Sequence, residues 1–190
     1  MTFVVIYDAC VLYPAALRDL LIRLAAAGTV RARWSDTILD EAFQNIRRNR
    51  PDLDPERLER TRVRMIRAVP DCLVTGYEGL VPGLKLPDES DRHVLAAAIR
   101  AGAQVIVTFN LKHFPEGVLA EYNMEAKHPD DFVVETIDLA PAAVIRIVTE
   151  QAAALKCPPI SISQLLDTLR EQRLAQSVAR LREMFGAASG

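Results

Sequence analysis

LPDESDRHVLAAAIRAGAQVIVTFN, residues Leu86 to Asn110, is the stretch from which the rest of the chain can be read. Asp88 and Asp91 follow Pro87 three residues apart, which sets them on one face of a first helical turn. Val94, Leu95, Ala98 and Ile99 repeat with helical period, and Gly102 supplies the stop. Val105-Ile106-Val107 then reads as a short buried strand bounded by Thr108 and Asn110. A helix whose acidic start lies near the end of a strand has the geometry of the ligand edge of an open α/β sheet. That describes an architecture and not yet a chemistry.

Towards the N-terminus, Phe3 to Tyr7 forms an apolar strand with Asp8 just beyond it. Pro14 suits the start of a helix over 15–27, whose Leu17, Leu20, Leu21 and Leu24 make one apolar stripe ended by Gly28. Val30 to Trp34 reads as a second strand. Ser35 or Asp36 then caps a helix carrying Ile38, Leu39, Ala42, Phe43 and Ile46, with Glu41 beside them. The run from Arg47 to Asp52 is expected to break it. Pro55 opens a further helix to Val69, with Leu58, Met65, Ile66 and Val69 inward and five arginines mostly outward. Cys72 to Val74 reads as a short strand, and 76–87 and 112–119 read as loops. Helices follow over 128–139 and 141–155, with one or two more over 161–185; the terminal AASG is expected to fray. Strand and helix alternate through about residue 125, which points to a parallel sheet covered on both faces, followed by an all-helical segment.

The chain has 190 residues, half of them apolar, enough for one domain with a helical extension. No apolar run approaches the roughly 18 residues of a membrane span. MTFVVIYDACVLYP lacks a basic leader region and is not read as a signal peptide. Cys10, Cys72 and Cys157 have no metal-ligand spacing, so a reduced, cytoplasmic protein is expected. Net charge is -2, unevenly spread: residues 1–115 hold 16 basic against 14 acidic residues, and 116–190 hold 7 against 11. Residues 41–70 carry eight arginines against five acids. An acidic chain is not a passive nucleic-acid coat, but it can be an enzyme with acids at a metal site and a local arginine group.

Each candidate residue has a plainer reading. Asp8 can be a turn residue, or a carboxylate aimed into a ligand crevice at the end of a strand. Glu41 can be a solvated helix residue, although at the edge of an apolar stripe a buried glutamate needs a partner. Asp88 and Asp91 suit an N-cap and its N3 acid, and on this segment alone that reading prevails. Taken together, Asp8, Glu41 and Asp91 sit where a sheet could gather them, and gathered carboxylates repel one another without a cation. Oxygen-rich sites of this kind suit Mg²⁺ or Mn²⁺. Thr108 and Asn110 can form a turn, or orient water or a phosphate oxygen. Arg47, Arg48 and Arg50 can be a solvated helix end or backbone-phosphate contacts, and Arg92 can pair with an acid or touch substrate. His93, His113 and His128 are scattered and receive no role.

Four segments in order resemble the PIN-domain ribonucleases, and more narrowly the VapC-type toxins of toxin–antitoxin pairs. They are VVIYDACVLYP, WSDTILDEAFQNI, LPDESDRHVLAAAI and VIVTFNLKHFP, spread over roughly residues 3–127. The resemblance implies a three-layer α/β/α fold with a parallel central sheet and a metal-dependent endoribonuclease activity. It makes Asp8, Glu41 and Asp91 the core acids for Mg²⁺ or Mn²⁺, with Asp88 auxiliary. Many members carry an aspartate where this chain has Asn110, which leaves the second metal in question. The resemblance also implies an RNA substrate, a small antitoxin partner that covers the groove, and a possible homodimer. Residues 1–127 are expected to form the nuclease domain and 128–190 a helical extension like that of longer members. Two other readings stand beside this one: a related nuclease acting on DNA or structured RNA outside a toxin system, and a catalytically idle α/β interaction module. Leu174, Val178, Leu181 and Phe185 form an apolar seam too short for a coiled coil, and it is expected to pack within the chain.

Overall fold

The computed structural model describes residues 3–187; of the terminal AASG expected to fray, Ala187 is the last residue of a helix and the other three lie outside the described residues. Strand β1 (Val4–Tyr7) is followed by a single helical turn, α1 (Ala9–Leu12), and by α2 (Ala15–Ala26). Strand β2 (Arg31–Arg33) leads into α3 (Asp36–Asn49) and α4 (Pro55–Ala68). Two 3₁₀ turns, Glu78–Gly83 and Glu89–Asp91, precede α5 (Arg92–Ala101) and β3 (Val105–Val107). A third such turn (Leu111–His113), the short α6 (Glu116–Ala120) and β4 (Glu125–Lys127) come next. Then follow α7 (Pro129–Leu139), α8 (Pro141–Ala154), α9 (Ile162–Glu171) and α10 (Ala175–Ala187).

The four strands form one parallel sheet in the order β2-β1-β3-β4. Central β1 pairs Val5, Ile6 and Tyr7 with Val105, Ile106 and Val107 of β3, and all six side chains are buried. Parallel neighbours require crossovers, and right-handed ones place α2 on one face of the sheet and α5 on the other. The Tyr7 hydroxyl donates to the Leu21 carbonyl at 3.3 Å, and its ring meets Phe132 edge-on, so α2 and α7 share a face. From β1 the chain proceeds to β2 on one side, while β3 lies on the other. A crevice therefore opens beyond the C-terminal ends of β1 and β3. Asp8 and Thr108 stand there.

Local chemistry accounts for most boundaries. Ser35 caps α3 by accepting from the Ile38 N–H, and Gly102 ends α5 in the left-handed region at φ 61°. Four expectations need correction. Helix α3 runs on to Asn49, so Arg47 and Arg48 belong to its last turn. The break falls at Arg50 (φ -131°, ψ 68°), because the following Pro51 excludes helical backbone one residue before it and not earlier. Cys72 to Val74 forms only a bridge between Leu73 and Trp34. Residues 76–87 and 112–119 hold helical turns where loops are read from the sequence. Strand β4 went unread because a three-residue edge strand with charged ends carries almost no apolar signal.

The helices beyond β4 join the same core. α8 and α9 pack on α2, while α10 packs on α7 and α9, burying Leu174, Val178 and Leu181. Asp130 is buried at the start of α10, accepting from the Gln176 and Ser177 N–H groups (both 2.8 Å) and the Ser177 hydroxyl (2.6 Å). The Gln172 side-chain oxygen accepts from the Leu17 N–H at 2.8 Å, and the Gln151 amide donates to the Ala16 carbonyl at 2.9 Å. Among the described residues no helix is long and apolar enough to cross a membrane.

Candidate active site

Asp8 ends β1 and begins α1. Its N–H donates to the Val107 carbonyl (3.1 Å), extending the sheet by one bond, and its Oδ1 accepts from the Ala9 N–H at 2.7 Å. Its Oδ2 receives the Thr108 hydroxyl at 2.7 Å and the Cys10 thiol at 3.1 Å. Only 3 % of the residue is exposed. Burial pushes the carboxyl above its ordinary range; the bonds from Thr108 and Cys10 pull it down, and the charge of Glu41 pushes it up again. Thr108 is fully buried and also accepts from the Asn110 N–H at 3.0 Å, so its hydroxyl holds Asp8 in place.

Asp88 and Asp91 divide the roles that their spacing left open. Asp88 caps the 3₁₀ turn by accepting from the Ser90 N–H (3.0 Å) and hydroxyl (2.6 Å), bonds that hold its carboxyl below the usual range. Asp91 stands at the start of α5 but makes no capping bond, which leaves its carboxylate to the crevice. There its Oδ2 lies 2.7 Å from Nδ1 of His113, which is 3.7 Å from Oδ2 of Asp88. Burial raises the Asp91 carboxyl, the His113 bond lowers it, and the charge of Asp8 raises it further. Glu41 is an exposed residue of α3 and not the buried one considered from the sequence; its Oε2 lies 3.4 Å from Nε2 of His93. Asp8 thus feels the charge of Glu41 and is felt by Asp91, although neither Asp8 nor Glu41 belongs to the tighter group that Asp91 forms with Asp88 and His113.

The remaining candidates lie in different settings. Asn110 is half-buried beside this group, and among the described residues its side chain has no hydrogen-bond partner. Arg47 and Arg48 are exposed and without ion pairs among the described residues. Arg50 forks onto Asp52 (2.8 and 2.7 Å) and Arg92 onto Glu89 (2.6 Å), so both are engaged locally. Three neighbours of the acids were missed in the sequence: Cys10, His93 and His113. For His113 a signal existed. A turn directly after a strand that ends in Thr108 brings a residue five positions on back to the crevice.

Oxygen donors in this number fit a divalent cation, since gathered carboxylates otherwise raise one another's pKa values. Asp88, Asp91 and His113 each offer a ligand atom, all within 4.8 Å of one another.

A family model described as PIN domain matches residues 4–112, more than half of the chain. The chain belongs to the PIN-domain family. A second model, described as VapC50 C-terminal domain, matches residues 129–183, which takes in most of the four helices after β4. A Mycobacterium tuberculosis (strain ATCC 25618 / H37Rv) protein named "Putative ribonuclease VapC50" is 42% identical over 114 residues, 60% of this chain. The aligned stretch spans 66% of that relative's length. No solved structure matches. The resemblance to VapC-type PIN proteins with a C-terminal helical extension therefore holds along both parts of this PIN chain.

Proposed function

We propose that this PIN-domain protein is a divalent-metal-dependent endoribonuclease, the toxin of a type II toxin–antitoxin pair. The observation that supports this reading is the acidic group at the sheet edge: Asp8 feels the charge of Glu41 and acts on Asp91, and Asp91 shares ligand-distance contact with Asp88 and His113. Asp8 is held for that task by Thr108 and Cys10 and is too buried to serve as a solvated turn residue. The PIN match and the ribonuclease name of the relative support the activity.

In this reading Asp8, Glu41 and Asp91 hold Mg²⁺ or Mn²⁺, with Asp88 and His113 closing the rim. When bound, the cation supplies activation of water and stabilisation of charge on the scissile phosphate. Thr108 fixes Asp8, and Asn110 presents an uncharged amide to water or a phosphate oxygen. Arg47 and Arg48 meet the RNA backbone, giving salt-dependent affinity with little sequence choice. Arg50 and Arg92 can join them by leaving Asp52 and Glu89, because exposed ion pairs of that kind are weak. Residues 1–127 form the nuclease unit and 128–190 its helical extension. A small antitoxin covers the crevice, the protein acts in the cytoplasm, and a homodimer is a possible assembly.

RNA cleavage with and without EDTA, in wild type and in Asp8→Asn and Asp91→Asn, tests the proposal. Wild-type cleavage should vanish in EDTA and be lost in both variants. Unchanged metal-dependent cleavage in both variants would overturn the site.

A further inference from the structure

The turn between α9 and α10 has an unusual occupant. The Leu174 N–H donates to the Leu169 carbonyl (3.1 Å) and the Arg173 N–H to the Arg170 carbonyl (3.0 Å), the paired bonds of a Schellman helix end. That motif needs one left-handed residue, and here it is Arg173, at φ 72°. Glycine takes this backbone freely, whereas an L side chain is strained in it. The arginine reaches back to the sheet edge, its Cζ 4.7 Å from the centroid of the Phe109 ring. The Phe109 ring in turn meets the His128 ring nearly edge-on, with centroids 5.2 Å apart. Phe109 lies between Thr108, which bonds Asp8, and Asn110, and its N–H donates to the Cys10 sulfur at 3.3 Å. Arg173 is exposed, and among the described residues no carboxylate pairs with it.

We infer that Arg173 is a substrate-binding residue through which the C-terminal helices grip a backbone phosphate of the RNA, beside the carboxylate group. This rests on the nuclease reading above. A guanidinium stacked on a ring keeps its N–H groups in its own plane, directed away from the ring, in the fork that matches two phosphate oxygens. Arg173 covers one face of the Phe109 ring, so the ring serves as a positioning residue for the guanidinium. Strain kept at a turn that presents an unpaired cation is the pattern of a functional site, because glycine would close the same turn without it.

The test uses full-length protein and a short fluorescein-labelled single-stranded RNA in EDTA, with binding followed by anisotropy across a KCl series. Arg173→Gly should bind roughly tenfold more weakly at low salt. Its slope of log affinity against log salt should be shallower by about 0.7, the loss of one phosphate contact. Its thermal midpoint should equal or exceed that of wild type, which a merely structural arginine would not allow. Arg173→Lys, which keeps the charge, should recover the salt slope. Unchanged affinity and slope in Arg173→Gly overturn the inference, and so does failure of the lysine to recover the slope. Wild-type protein that binds no RNA overturns this inference and the nuclease reading together. Wild-type binding with unchanged Arg173→Gly overturns the inference alone.

Discussion

Asp8 is almost fully buried while also extending the sheet and capping α1. Because burial raises its carboxyl, the fold favours the protonated form. Its contribution to stability is fully present below the ordinary value of 3.8 and is lost as the pH rises through the raised value. Asp91 shifts in the same direction. Cation-free protein should therefore lose stability from these two groups as the pH climbs from acid to neutral. In EDTA at pH 7.5, Asp8→Asn should melt about 2–4 °C above wild type, with the gap closing towards pH 4. Mn²⁺ should raise the wild-type midpoint and leave that of the variant nearly unmoved. Differential scanning calorimetry measures all three. His113→Ala should weaken Mn²⁺ binding about tenfold or more by titration calorimetry. Asp8 and Asp91 could be read from strand and helix edges; for His113 the turn after β3 gave its place at the crevice but not its partners, which lie 22 and 25 positions away and are joined to it only by the fold.

Among the elements, α10 shows how a helix can depend on one distant side chain. Its first N–H groups and the Ser177 hydroxyl all bond to Asp130, which sits in α7 and is almost fully buried. Removing that carboxylate leaves buried donors without a partner. Asp130→Ala should cost about 2–4 kcal/mol in urea denaturation. Ser177→Ala, which removes only the hydroxyl, should cost about 1 kcal/mol. Elements with strong local chemistry were legible in the sequence: α2 through its leucine stripe, α5 through Gly102, and β1 and β3 through unbroken apolar runs. β4 was not, because its stability comes from pairing with β3 and from Lys127 reaching Glu125 and Glu135. α6, five residues long, is held by its surroundings more than by helix propensity.

Across the whole molecule the sheet and the C-terminal helices form one buried core. α2 has the sheet on one side and α8 and α9 on another, so its apolar residues are shared between the two parts of the chain. A fragment ending at Lys127 should expose that face. It should bind a hydrophobic dye strongly and lose near-ultraviolet ellipticity, while the full chain does neither. The parallel sheet was legible because alternating strand and helix permits few alternatives. The way the last helices dock was not, since nothing in a leucine stripe says which stripe will cover it.

The bond from Leu17 to Gln172 bears on the order in which the molecule is built. Pro14, ahead of α2, offers no side-chain cap, and the N–H that such a cap would satisfy receives its partner 155 residues later. On a ribosome, the first turn of α2 must wait with an open donor and an uncovered face until residue 172 has left the exit tunnel. The half that bears Asp8, Glu41 and Asp91 is synthesised first and locked last.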